Sequence, residues 1–144
     1  MNATAREAGT TLVEVVVAVA ILGIAITTIV GGMGTSIIAS DHHLKQSQAH
    51  TVLVSAVGAV KDATANPYQS CADASTYDPA AGVALPGGWT AAAVAVTGVD
   101  HWDGSAFSPS CPAPDGRLQL VTVTVTTPDS RATESVSFVK RDPS

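Results

Sequence analysis

The chain has 144 residues, room for one small domain with an appendage and too little for a multidomain enzyme. It is 46% hydrophobic, 4% aromatic and 13% charged, about half the charged share of an ordinary soluble domain. Seven Lys and Arg against twelve Asp and Glu give a net charge of −5, and without a basic stripe this composition argues against a nucleic-acid surface.

The apolar residues concentrate near the N-terminus. From Leu12 to Ala39 the one ionisable side chain is Glu14, and the rest are Val, Ala, Ile, Leu, Gly, Thr, Ser and Met. As a helix this stretch would reach about 42 Å at roughly 1.5 Å per residue, more than the ~30 Å of a bilayer's hydrocarbon. A secretory signal peptide is the rival reading. Its apolar region is shorter and follows a basic leader, whereas here Arg6 is offset by Glu7 and Ile37-Ile38-Ala39 makes a poor cleavage site. Glu14 then needs a reason, because a carboxylate at membrane depth must snorkel, pair or mark a functional contact.

The flanking residues Glu7-Ala8-Gly9-Thr10-Thr11-Leu12-Val13-Glu14 form a short polar leader ending in Gly, with Glu fifth after it at the head of the apolar run. This pattern resembles the class III signal of type IV pilins and pseudopilins. Thr11, Leu12 and Glu14 match the family's Phe-Thr-Leu-Ile-Glu, Val13 is a close substitute, and Thr10 stands where Phe is usual. Ala8 stands where a basic residue is common before the Gly. The resemblance covers about the first thirty residues and implies cleavage by prepilin peptidase after Gly9, with methylation of the new amine on Thr10. In such a filament the carboxylate of Glu14 would meet the Thr10 amine of a neighbouring subunit. The alternative role for Glu14 is to snorkel to the headgroups and stabilise the helix N-terminus. Arg6 and the initiator amine would keep the N-terminus in the cytoplasm and the head outside.

The expected organisation is therefore a leader over 1–9, a transmembrane helix over 10–40, its amphipathic continuation over 41–66 and a globular head over 67–144. Gly31, Gly32 and Gly34 predict a soft or partly unwound stretch, or else close helix packing through small residues. Beyond Ser40, the residues Leu44, Ala49, Val52, Leu53, Ala56, Val57 and Val60 keep the rhythm of a helix laid against a core. That helix should end between Asp62 and Asn66, ahead of Pro67.

Residues 67–114 read mostly as connecting loop, with strand propensity over Thr90–Val99, where Val94 and Val96 share a face. From Arg117 the alternation sharpens. Leu118, Leu120, Val123 and Val125 are expected on one face, Val121 is out of phase, and a second run carries Val136, Phe138 and Lys140. These runs predict a hairpin around the turn at residues 127–131. The fold class is then α+β: a long N-terminal helix packed on an antiparallel sheet of about three strands.

Cys71 and Cys111 are expected to form one disulfide in an oxidising compartment. No catalytic, cofactor or metal site is expected. His42, His43 and His50 lack a close third ligand, and Asp100-His101-Trp102-Asp103-Gly104 has no marked nucleophile and no calcium-loop pattern. Asp103-Gly104 reads as a turn, and Trp89, Trp102 and Phe107 as loop anchors.

The resemblance implies a minor pilin or pseudopilin, a structural or priming subunit of a type IV pilus or a type II secretion-like filament. Its partners would be other pilin subunits, prepilin peptidase and the membrane. The alternative is a single-pass membrane module whose head captures an extracellular ligand or DNA without polymerising; minor pilins of competence systems bind DNA.

Overall fold

The structure is a computed structural model, and it describes residues 11–143. Gly9 and Thr10 lie outside the described residues. The element order is α1 (Leu12–Lys61), a single 3-10 turn (Ala91–Ala93), β1 (Val94–Trp102), β2 (Phe107–Ser108), β3 (Leu118–Thr126) and β4 (Thr133–Arg141). The fold is α+β, as expected. The chain divides into two compact units, the first ending at Ser40 and the second beginning at Asp41.

The first unit is the N-terminal part of α1. Thr11 opens the helix: its hydroxyl oxygen accepts the Glu14 N–H at 3.3 Å and its carbonyl accepts the same N–H at 2.9 Å, the N-cap half of a capping-box spacing. Every residue from Thr11 to Ser40 is exposed. The helix runs without a break through Gly31, Gly32 and Gly34, so the expected soft stretch is a regular helix in the structure. A Cβ at any of these three glycines would meet only open space.

The second unit is built on the C-terminal part of α1. Ala49, Val52, Leu53, Ala56 and Val60 are buried and Val57 is partly buried, as the periodicity predicts, but Leu44 is 58% exposed and lies outside the core. The helix ends at Lys61, and Asn66 holds the exit. Its side-chain amide donates to the Ala59 and Asp78 carbonyls at 2.9 and 3.0 Å, and its carbonyl oxygen accepts the Asp78 N–H at 2.7 Å.

The sheet is antiparallel with strand order β2-β1-β3-β4. The fourth strand beyond the expected three is β2, only two residues long, paired to β1 through His101–Ser108 and Trp102–Phe107. Its turn is the one expected at Asp103-Gly104. Asp103 accepts the Ser105 and Ala106 N–H groups at 2.7 and 2.8 Å, and Gly104 takes φ +104°. The rings of Trp102 and Phe107 pack with centroids 5.1 Å apart.

Thr90–Ala93 lies outside the strand, which starts at Val94 and continues to Trp102. Between Val96 and Gly98 the register against β3 shifts, so the buried positions change phase from Val94 and Val96 to Val99 and His101.

The phase expected for β3 is corrected by the structure. Gln119, Val121, Val123 and Val125 are buried, while Leu118 and Leu120 lie half-buried on the opposite face, where Leu120 pairs with Val139 and Leu118 with Arg141. The physical reason is Gln119. Its side chain is 0% exposed, accepts the Tyr77 hydroxyl at 2.6 Å and donates to the Gln69 carbonyl at 2.7 Å, so the polar residue has partners inside and the strand keeps its period of two. Tyr77 and Ala72 are buried, and Val83, Leu85 and Trp89 pack against the core. The 67–93 segment thus contributes to the core as well as connecting.

Candidate functional site

Two sites follow from the residues singled out in the sequence. The first is the N-terminal part of α1. Glu14 sits in the first turn, where the free N–H groups favour an anion. Its side chain is exposed, and among the described residues it has no ion-pair partner. The surface that follows is apolar: Leu12 is 81% exposed, and Val16, Val19, Ile21, Leu22, Ile24, Ile29, Met33 and Ile37 are exposed as well.

The hydroxyls within this stretch are turned inward on the backbone. Thr27 donates to the Gly23 and Ile24 carbonyls at 3.2 and 2.9 Å, Thr28 to Ala25 at 2.8 Å, Thr35 to Gly32 at 2.9 Å and Ser36 to Gly32 at 3.1 Å. A helix in hydrocarbon must satisfy its polar groups internally, and these do. By length and composition α1 is a candidate membrane span.

The second site surrounds the cysteines. Cys71 and Cys111 are joined in a disulfide, with Cα atoms 5.4 Å apart. Cys71 takes a positive φ of 54° in the loop after α1, and Cys111 lies in the segment between β2 and β3. The bridge ties that segment to the loop carrying Ala72 and Tyr77. Beside it, Asp115 accepts the Tyr68 hydroxyl at 2.6 Å and the Arg117 N–H at 3.3 Å. Burial pushes the Asp115 carboxyl up, but hydrogen bonds from Tyr68 and Ser70 outweigh it and hold the group below its ordinary value. Burial, reinforced by Asp115, in turn raises the Tyr68 hydroxyl.

His101, in the sequence no more than a neighbour of Asp100, is 3% exposed on the core face of β1, and its buried Nδ1 has no hydrogen-bond partner among the described residues. Simple alternation from Val94 and Val96 would turn His101 outward, and the register shift between Val96 and Gly98 turns it inward. His42 and His43 are exposed, and His50 is exposed beside Glu134, its Nδ1 3.2 Å from that carboxylate.

A third cluster was missed in the sequence. Lys45 lies between Asp41, at 3.0 Å, and Asp129, while Arg131 reaches Asp41 at 3.3 Å. The Lys45 ammonium holds the Asp129 carboxyl well below the usual carboxylate range, helped by the Thr127 hydroxyl. These groups anchor the β3–β4 turn to α1. Their pairing across 84 and 90 residues of sequence leaves no local motif. No family model, curated protein or solved structure matches the chain.

Proposed function

We propose that the chain is a minor pilin or pseudopilin, a structural or priming subunit of a type IV pilus or type II secretion-like filament, cleaved after Gly9 by prepilin peptidase. The subunit is held by a single span in the cytoplasmic membrane, with its head outside the cytoplasm. The observation that carries this reading is Glu14: a carboxylate without a partner among the described residues, in the first turn of an otherwise apolar, fully exposed helix, five places after Gly9 in the prepilin pattern. The internally bonded hydroxyls of that helix and the disulfide of the head support the same placement.

Assembly follows from charge. Cleavage after Gly9 leaves an amine on Thr10, and packing of one such helix beside another brings this cation to the Glu14 carboxylate of a neighbour. Removing one member of a desolvated pair strands the other at a cost of about 3–5 kcal/mol. Glu14→Gln is therefore expected to leave insertion and cleavage intact, and to lower the ratio of sheared-filament protein to membrane protein by at least about tenfold. An unchanged ratio, together with unchanged crosslinking between positions 10 and 14 of neighbouring subunits, would favour a membrane-anchored module that does not polymerise.

A further inference from the structure

The disulfide, His101 and Asp115 meet at one place. A ring nitrogen of His101, Sγ of Cys111 and a carboxylate oxygen of Asp115 all lie within 4.8 Å of one another, with His101 buried and the other two half-buried. Oxidised sulfur is a poor ligand, because the thiolate is the form that binds a metal. We propose that reduction of the Cys71–Cys111 bridge converts this corner of the head into a zinc site, with His101, Cys111 and Asp115 as ligands.

Four observations carry the assignment. The set is imidazole, thiolate and carboxylate, the donor types zinc takes in tetrahedral sites. Zinc bonds of about 2.0–2.3 Å place tetrahedral ligand atoms roughly 3.3–3.8 Å apart, so the present cluster has to contract by little more than the rotation that a released Cys111 side chain allows. Among the described residues the buried Nδ1 of His101 has no hydrogen-bond partner in the oxidised head, and a buried polar nitrogen left without one is unfavourable, so a ligand there would relieve that cost. Asp115 is already oriented, because the Tyr68 hydroxyl donates to it at 2.6 Å, the kind of outer partner that fixes a ligating carboxylate.

The chemistry balances with a named reductant. A trialkylphosphine reduces the disulfide by two electrons, water supplies the oxygen of the phosphine oxide and the two protons of the thiols, and Zn2+ then displaces the Cys111 proton as it binds that sulfur. A dithiol does the same, leaving as its own disulfide. Disulfide and metal thus compete for the same sulfur. This site is independent of filament assembly, because none of its ligands lies in the apolar part of α1.

The test uses the full chain in detergent micelles, titrated with Co2+ as the spectroscopic stand-in for zinc, before and after phosphine reduction. The reduced chain is expected to bind one equivalent with a sulfur-to-cobalt charge-transfer band, which Zn2+ abolishes, while the oxidised chain shows no such band. His101→Gln and Cys111→Ser should each weaken binding at least about 100-fold. Because His101→Gln alters a buried position, Asp115→Asn at a half-buried one carries the same comparison, and the thermal midpoint of the reduced wild type should rise on adding Zn2+. A reduced chain without the band, or one bound equally well by the His101 and Asp115 variants, would overturn the site. Cobalt held equally by the oxidised chain would place the metal on exposed groups such as His42, His43 and His50, and would overturn it as well.

Discussion

Lys140 shows how a single residue decides the end of an element. Its side chain is buried, and its ammonium donates to the carbonyls of Val60 at 2.6 Å and Asn66 at 2.7 Å, closing the C-terminus of α1 from β4 while lying 5.1 Å from the centre of the Tyr77 ring. Burial pulls its pKa down from the ordinary lysine value, yet the two carbonyls and the negative end of the helix dipole reward the charge. Lys140→Met keeps the apolar stem and strands both acceptors, so it should cost the head about 1–3 kcal/mol. In thermal melts that corresponds to roughly 4–8 °C per kcal/mol for a unit of this size; an unchanged midpoint would show that water replaces the ammonium. The carboxylates behave in the opposite sense. Asp129 is held down by Lys45 and Thr127, Asp73 by Ser75 and Thr76, and Asp103 by the Ala106 and Ser105 backbone and the Ser105 hydroxyl. Their folded pKa values lie below the unfolded one of about 3.9, so their contribution is complete above that pH and is lost as pH falls through the folded values. The melting midpoint should therefore be flat from neutrality to about pH 5 and decline below about pH 4. A midpoint that stayed constant down to about pH 2 would contradict this assignment.

Among the elements, the ones with a regular period were legible and the ones held by long-range partners were not. The buried stripe Ala49, Val52, Leu53, Ala56 and Val60 repeats at helical spacing, and the β3–β4 hairpin pairs from Leu118–Arg141 to Thr126–Thr133 around the expected turn. What failed was the phase of β3. The leucines at 118 and 120 look like core residues, but Gln119 is inside because Tyr77 and Gln69, 42 and 50 residues earlier, satisfy its amide. Hydrophobicity alone cannot register a polar group whose partners are remote. The same reason hid the Asp41–Lys45–Asp129 cluster, and the register shift in β1 hid the environment of His101, whereas Cys71 and Cys111 were legible as a pair because they are the two cysteines of the chain. The place of Glu14 after Gly9 is a feature of the sequence alone, and the structure adds the exposure of Glu14 and the Thr11 cap. The bridge also makes a stability prediction. It closes a sequence separation of 40, a constraint on the unfolded chain worth about 4 kcal/mol in the chain-entropy model. Replacing both cysteines by Ser should lower unfolding stability in denaturant by about that amount, and a loss below about 1 kcal/mol would mean that residual structure in the unfolded chain already supplies the constraint.

At the scale of the whole molecule, the two units meet different demands. The unit ending at Ser40 exposes apolar side chains and hides its hydroxyls in its own backbone, which suits lipid or the matching helices of other subunits. The unit beginning at Asp41 has its own core, a disulfide and surface ion pairs, which suits an aqueous, oxidising exterior. A prepilin-type subunit needs both, together with a leader removed on the cytoplasmic side. The proposed cleavage point is Gly9, and the direct measurement is the intact mass of the protein extracted from membranes of cells with and without prepilin peptidase. A chain beginning at Thr10, with or without one added methyl group, is expected only where the peptidase is present. A chain that keeps Met1 in the presence of the peptidase, or one cut after Ala39 irrespective of it, would contradict the account.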